Sequence, residues 1–365
     1  MLTSLRALAA LEVVFLHALS ELGGESVRAL PLIVREGLTR GGLAVSFFFV
    51  LSGFILTYTY SDADGGLTGT PRKFWRARFA RIYPIYFLGF AMDAPRVISF
   101  FIGSAASLAS AVAKIGIASL AYLTLLQSWH PRVTNSWNTP GWSLSTEAFF
   151  YAVFPALVAV TKPWRFRRFL GVALGLWALP IIAYTILFYS HTVELGSAAV
   201  QTFWRSFPPL RLSEFVLGVA AGRLFLSGGL TPHLKWLRWA GVVACALILA
   251  LPVFAFVLPE TVVDNTLDAP LFAVAILAAA SGAIPTPRWL SAPPLVLLGR
   301  ASYAVYIIHV PFKPIFSKCA RLVGLESPSP ALLISYLLSL ELLCIALFLW
   351  FEDPLRRLIT RSSAR

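Results

Sequence analysis

The chain has 365 residues, of which 58% are hydrophobic and only 13% are charged. This balance excludes an ordinary soluble globular protein and indicates several membrane spans. The net charge of +13 comes from short basic clusters between apolar runs, a pattern typical of the positive-inside rule that argues against a nucleic-acid partner.

Eleven apolar stretches have roughly the length of a membrane span, about 17–25 residues. They occupy residues 5–22, 43–60, 82–105, 106–127, 145–161, 168–189, 209–227, 237–258, 269–285, 299–317 and 331–351. Three basic clusters separate or follow them, and the positive-inside rule predicts that all three are cytoplasmic. These clusters occupy residues 72–81, 162–168 and 356–365.

Arg6 lies on the same side as these clusters only if residues 82–144 cross the membrane once. The sequence therefore predicts an all-α, polytopic membrane helix bundle of about ten transmembrane helices, with both termini cytoplasmic. One of the stretches 82–105 and 106–127 is then re-entrant or interfacial. Asp93-Ala-Pro-Arg96 is the expected break, because proline interrupts the backbone hydrogen bonds.

Residues 1–355 are predicted to form a single integral-membrane domain, since no internal repeat or separate soluble core is evident. Residues 356–365 are predicted to be a short basic cytoplasmic tail. The loop with Glu260, Asp264 and Asp268 falls on the outer side. No small-residue cleavage site follows the first apolar run, so we expect an uncleaved span rather than a signal peptide.

The first span carries three ionisable residues, Arg6, Glu12 and His17. Arg6 and His17 lie on one helix face, about 16 Å apart along the axis. An ionisable group inside a span indicates function by default. The alternative is that Arg6 extends to the interface and His17 binds a neighbouring helix. Glu12 lies on another side of the helix and is left unassigned.

Residues 72–89 carry five cations into the next span, and Arg78 and Arg81 are one helical turn apart. One interpretation is a positive-inside anchor with interfacial aromatic residues. The other is a phosphate-binding patch, because the planar guanidinium group contacts two phosphate oxygens at once.

A further candidate region is residues 138–155, where glycine, proline and Trp142 precede a helix. The sequence predicts Glu147 in its first turn, where the helix dipole favours an anion. Glu147 is then either a simple N-terminal charge or a side chain that reaches into a cavity.

Two later stretches carry regularly spaced polar residues. Arg211 and Glu214 are three residues apart, so they can pair on one helix face, which favours a structural role. Tyr303, Tyr306 and His309 recur every three residues on one face of a span, a pattern that alone indicates packing.

Other kinds of site are not supported by the pattern. The chain lacks a nucleophile elbow, a glycine-rich phosphate loop and a paired-histidine metal spacing, so no metal site is predicted. Cys245, Cys319 and Cys344 are far apart and fit neither a disulfide framework nor a metal site. We expect them to be packing residues.

The order of these motifs resembles the acyltransferase-3 family of membrane O-acyltransferases, which modify sugars and related acceptors. The resemblance extends over nearly the whole chain, although an Asp-Gly pair common before the first Leu-Arg is replaced by Thr-Ser. The matching features are Arg6 and His17 with ten residues between them, "FFFVLSGFIL" at 47–56, "RFARIYPIY" at 78–86, "GWSLSTEAFFYAVFP" at 141–155, "RLSEFVLG" at 211–218, "SYAVYIIH" at 302–309 and "FEDP" at 351–354.

The resemblance implies transfer of an acyl group, most often acetyl, from acyl-CoA to a hydroxyl group of a carbohydrate or glycoconjugate. Acyl-CoA is a substrate here, and no permanently bound cofactor is expected. His17 is the expected general base, because imidazole titrates near neutral pH. Arg6, Arg78 and Arg81 are expected to bind the coenzyme A phosphates, and Glu147 to orient His17 or bind the acceptor.

Substrate-binding roles are assigned to Trp142, Arg211, Glu214, Tyr303 and His309. Membrane lipid is the expected surrounding, and the bacterial cytoplasmic membrane the expected location. Two alternatives stay open on the residues alone. One is a transporter or flippase of a lipid-linked saccharide or lipid, although no inverted repeat is found. The other is a structural subunit of an envelope-polysaccharide complex.

Overall fold

The computed structural model of the protein is mainly helical in the residues that it describes. These are residues 1–25, 29–31, 34, 41–190, 198–254, 267–285, 287–325 and 327–361. Within these ranges the only β pairing is an isolated bridge between Ser61 and Leu67. The predicted all-α class is confirmed. Glu260, Asp264 and the last four residues of the predicted tail lie outside the described ranges.

Fourteen α-helices in these ranges are numbered here in chain order. They are α1 Leu2–Leu22, α2 Gly41–Tyr60, α3 Pro71–Ser104, α4 Leu108–Leu123, α5 Pro131–Thr134, α6 Gly141–Thr161, α7 Phe166–Ser190, α8 Ala198–Ser206, α9 Pro208–Leu226, α10 Leu234–Phe254, α11 Ala269–Ala280, α12 Pro293–Leu322, α13 Pro330–Leu347 and α14 Asp353–Arg361. A π-helical segment, Phe348–Glu352, joins α13 to α14.

Eight helices in the described ranges are long and apolar enough to cross a membrane. Two others, α4 and α11, are apolar but shorter. Helix α9 is 19 residues long and carries Arg211, Glu214 and Arg223. The helices therefore support an integral membrane protein. The count of ten crossings and the cytoplasmic position of both termini remain predictions.

The predicted break at Asp93-Ala-Pro-Arg96 is wrong. Helix α3 continues through Pro84 and Pro95 to Ser104. Arg96 donates two hydrogen bonds to the Asp93 carboxylate, at 2.7 and 2.6 Å, and this pair bridges the turn that contains Pro95. Proline removes only one backbone hydrogen bond, so the helix continues. The chain leaves the helical conformation at Ala105 instead.

The lengths of α3 and α4 distinguish their relation to the membrane. The 34 residues of α3 span about 51 Å, more than the hydrocarbon core of about 30 Å. The basic first turns of α3 therefore have room to extend beyond the lipid. The 16 residues of α4 span about 24 Å, which fits the prediction that one of these two stretches does not cross the membrane.

Glycine residues allow α2 and α9 to pack with their backbones in contact. A side chain at Gly53 would overlap the carbonyl oxygen of Phe215, and one at Gly218 would overlap that of Val50. Small residues permit this close approach between membrane helices. The contact holds α2 in place beside the functional site described below.

Helices α1 and α12 run side by side in the same direction. Gly299 lies against the backbone of Thr3, and farther along the pair His309 lies against His17. The side chain of Ser4 donates a hydrogen bond to the carbonyl of Leu290 at 2.6 Å. This pairing sets the relative positions of the ionisable residues on both helices.

Candidate active site

Five helices surround a cavity of about 120 Å³ that brings together several residues predicted from the sequence. Arg6 comes from α1, Arg78 and Arg81 come from α3, and Glu147 from α6. Tyr303 of α12 also lines the cavity. The rest of the lining combines aliphatic side chains with polar and aromatic ones, including Ser52 of α2, Ser143 and Tyr151 of α6 and Tyr306 of α12.

The three arginines give the cavity an excess of positive charge. The Nε atoms of Arg6 and Arg78 are buried and have no hydrogen-bond partner among the described residues. The Arg78 Nη2 atom donates to the hydroxyl of Tyr60 at 2.9 Å. Guanidinium groups with donors still available suit an anionic ligand, phosphate above all.

Arg81 is held by residues from two other helical segments. Its guanidinium carbon lies 5.5 Å from the centre of the Tyr303 ring, and it forms an ion pair with Glu352 of the π-helical segment. The Glu352 side chain is fully buried, while that of Arg81 is 16% exposed. Glu352 was not among the residues predicted for the site, and its only signal in the sequence is the closing "FEDP" motif.

The position of Glu147 differs from the prediction. Helix α6 begins at Gly141, so Glu147 lies in its second turn and not its first. The helix begins early because the preceding turn already supplies a carbonyl, from Asn138, to the amide of Gly141 at 2.9 Å. The predicted benefit of the helix dipole therefore does not apply, since it falls off within the first turn.

The Glu147 carboxylate is hydrogen-bonded to two residues that line the cavity together with the arginines. It accepts a hydrogen bond from Ser52 at 3.1 Å and a short one from the hydroxyl of Tyr151. Tyr151 lies one turn after Glu147 and was also missed in the sequence. No contact between Glu147 and His17 occurs among the described residues, so orientation of His17 by Glu147 stays a prediction.

His17 and His309 form a pair just beyond the cavity. Their ring centres are 5.1 Å apart, and Nε2 of His309 lies 3.4 Å from Nδ1 of His17. His309 is 1% exposed, and His17 is partly exposed. Neither histidine lines the cavity.

Tyr306 connects the cavity to the histidine pair. It lines the cavity, its hydroxyl is 2.8 Å from that of Ser143, and its ring centre is 6.3 Å from that of His309. The sequence placed Tyr306 and His309 on one helix face, and the structure confirms that they are neighbours. The arginine-lined cavity and the imidazole pair thus follow one another along α1 and α12.

The remaining predicted residues form a buried cluster outside the cavity lining. Arg211 pairs with Glu214 at 2.9 Å, Ser46 donates to Glu214 at 2.7 Å, and the Arg211 guanidinium lies 5.9 Å from the centre of the Trp142 ring. The predicted Arg211–Glu214 pair within α9 is confirmed, and the hydrogen bond from Ser46 ties it to α2. Substrate binding by these residues stays a prediction.

No group of three or more histidine, cysteine, aspartate or glutamate residues in the described ranges is placed to hold a metal ion. The three cysteines are free thiols. Cys344 is buried, but Cys245 and Cys319 are exposed, so the expected role in core packing fits only Cys344.

Comparison with known proteins places the chain in a family. The family model of acyltransferase-3, described as "Acyltransferase domain", matches residues 2–349. No solved structure matches the chain.

Three curated relatives show similarity of different extent. The chain is 32% identical to Acyltransferase MdmB of Streptomyces mycarofaciens, over 84% of this chain and 77% of that protein. It is 30% identical to Exopolysaccharide production protein ExoZ of Rhizobium meliloti, over 87% and 90% respectively. A shorter match, 35% identical over 28% of this chain and 47% of the relative, is to Protein 2 in picA locus of Rhizobium radiobacter. The chain therefore belongs to the acyltransferase-3 family and is an O-acyltransferase.

Proposed function

We propose that this enzyme transfers an acyl group from acyl-CoA to a hydroxyl group of a carbohydrate or glycoconjugate, and that the acyl group is acetyl. The observation that carries the proposal is the convergence of three guanidinium groups on one cavity that adjoins a histidine pair. The name of the relative ExoZ, an exopolysaccharide production protein, supports a carbohydrate acceptor.

The donor is assigned to the arginine-lined cavity. Coenzyme A carries phosphate groups, and Arg6 and Arg78 have buried Nε–H donors without a partner among the described residues. A cavity of about 120 Å³ accommodates only part of this donor. The phosphate end of the pantetheine arm would lie against these arginines, the thioester end would continue past Tyr306 toward His17, and the nucleotide would stay at the basic end of α3.

The acyl transfer needs little beyond orientation and a proton acceptor, because a thioester is already activated. The acceptor oxygen attacks the thioester carbon, and the carbon–sulfur bond breaks to release the coenzyme A thiolate. His17 takes the proton of the attacking hydroxyl and returns it to the leaving thiolate. Tyr306 lines the cavity and lies beside His309, and its hydroxyl is hydrogen-bonded to Ser143, so these two residues would line the path of the acyl group.

The donor is proposed to enter from the cytoplasm, across a bacterial cytoplasmic membrane. Arg76 in the basic cluster donates a hydrogen bond to the carbonyl of Thr360 at 2.8 Å. The basic start of α3 and the basic C-terminal helix α14 are therefore on the same side of the protein, as the positive-inside rule requires if both are cytoplasmic.

The experiment compares the host's glycoconjugates by mass spectrometry in three strains: gene deleted, gene restored, and gene restored as His17→Ala. We expect an acyl mass increment that is lost on deletion and returns only with the wild-type gene. Purified membranes should transfer radiolabelled acetyl from acetyl-CoA with the same dependence. Unchanged acylation together with accumulation of an unexported glycan would refute the proposal in favour of transport.

A further inference from the structure

We propose that His309 is a positioning residue for the transfer reaction: together with the carbonyl of Val13 it fixes the tautomer of His17, and it stabilises the charged form of that ring. In this tautomer Nδ1 of His17 carries the hydrogen, and Nε2 is the atom that receives the proton of the acceptor hydroxyl. The inference rests on the proposed function, in which His17 is the base, and adds a role for the second histidine.

The contacts of His309 determine which of its ring nitrogens carries the hydrogen. Its Nδ1 atom is 2.9 Å from the carbonyl oxygen of Tyr306 and 3.2 Å from that of Val305. Carbonyl oxygens only accept hydrogen bonds, so Nδ1 must carry the hydrogen. A ring this deeply buried, without a carboxylate partner among the described residues, is costly to charge. His309 is therefore neutral, and its Nε2 atom presents a lone pair to His17.

The contacts of His17 determine its tautomer in the same way. Its Nδ1 atom is 2.9 Å from the carbonyl oxygen of Val13 and 3.4 Å from Nε2 of His309. Both neighbours are acceptors, so Nδ1 of His17 is the donor and Nε2 is unprotonated. No hydrogen-bond partner for this Nε2 atom occurs among the described residues. The tautomer leaves that lone pair available to a hydroxyl group.

Other contacts fix the position of the two histidines relative to each other. The hydroxyl of Tyr336 on α13 donates to the carbonyl of His309 at 2.7 Å. Lys313, one turn after His309, donates to the carbonyl of His17 at 3.0 Å and pairs with Glu21 at 2.7 Å. The backbones that carry the two imidazoles are thus tied together independently of the rings themselves.

The consequence for catalysis lies in the charged form of His17. When Nε2 takes the proton, the ring becomes a cation and Nδ1–H becomes a stronger donor. The lone pair of His309 is placed to accept this hydrogen bond, so it stabilises the cation as it forms. The distance of 3.4 Å is long, and hydrogen bonds of catalytic groups commonly shorten once the substrate is bound.

The test uses two substitutions of His309 that differ in which nitrogen they replace. His309→Gln places an amide oxygen near the position of Nε2 and keeps an acceptor for His17. His309→Asn reaches only the position of Nδ1, so it keeps the local backbone contact and removes that acceptor. Both should accumulate in membranes at the wild-type level.

For His309→Asn we expect kcat to fall by about 10- to 100-fold, since it loses part of a general-base contribution of about 10²–10⁴. The KM for acetyl-CoA should stay within about twofold, because the anion-binding arginines are unchanged. His309→Gln should recover most of the lost kcat. Equal loss in both variants, full activity of His309→Asn, or a change in KM alone would each overturn the inference.

A second measurement needs no altered His309. Nitrogen-15 NMR of histidine-labelled enzyme should show Nδ1 of His17 protonated and Nε2 unprotonated, with the signals of the five histidines assigned by comparison with His17→Ala. The opposite tautomer in the wild type would refute the proposal. Transfer activity that survives His17→Ala would instead refute the base assignment in the proposed function, and with it the role of His309.

Discussion

The assignment of the arginine-lined cavity to acyl-CoA predicts how Arg78→Met changes the kinetics. The substitution removes the cation and leaves a side chain of similar length against Tyr60 and Tyr151. A hydrogen bond to a charged group contributes about 1.5–3 kcal/mol, and about 1.4 kcal/mol corresponds to tenfold. We therefore expect KM for acetyl-CoA to rise by about 10- to 150-fold, with a much smaller change in kcat.

The assay measures transfer in membranes with two donors, acetyl-CoA and a truncated acetyl thioester that retains the pantetheine arm but has no phosphates. Arg78→Met should impair use of acetyl-CoA and leave use of the truncated donor unchanged, because the lost interaction is with phosphate. Arg72→Met is the matched control: it removes an exposed cation from the same helix, outside the cavity lining.

Three results would refute the reasoning. The first is an equal rise in KM in the Arg72 and Arg78 variants, which would indicate only long-range attraction by the basic cluster. The second is an equal loss with both donors, which would mean that Arg78 acts on the thioester and not on phosphate. The third is a fall in kcat without a change in KM.

Two further predictions concern stability, measured by thermal unfolding in detergent and by the yield of monodisperse protein. Gly218→Leu should abolish the folded yield, because the new side chain would overlap the α2 backbone and overpacking typically costs about 1–3 kcal/mol or more. The control is Gly175→Leu, which has open space around it and should unfold at the wild-type temperature. Arg211→Met should lower the free energy of unfolding by about 3–5 kcal/mol, because it leaves the Glu214 charge buried without its cationic partner. The double variant Arg211→Met/Glu214→Leu should be more stable than Arg211→Met alone, and a less stable double variant would contradict this account.

Local spacing and motif order predicted a large part of the site. Arg6, Arg78, Arg81, Glu147 and Tyr303 were all proposed from the sequence, and all line one cavity. The two arginines of α3 follow from helical periodicity, since residues three apart lie on the same face. Their convergence with Arg6 does not follow from periodicity, because it depends on how separate helices pack.

The errors and omissions have the same origin. The break expected at Pro95 is absent because the Asp93–Arg96 pair spans that turn, a compensation that the identity of the proline alone does not reveal. The contact between His17 and His309 joins residues 292 positions apart. Each histidine was predicted separately, but no local pattern indicated that one binds the other. Glu352 was missed because its partner, Arg81, is on a distant helix.

In the proposed function, the fixed spacing of Arg6 and His17 along α1 sets the distance between the phosphates and the thioester of a donor that can react. The distance of about 16 Å along the axis is set by the backbone and does not adjust to the ligand. A carrier arm that is too short would leave its thioester below the level of His17, and one that is too long would carry it past. In the proposed function the helix would therefore select the length of the carrier between phosphate and thioester, and would place no limit on the length of the acyl group, which lies beyond the thioester.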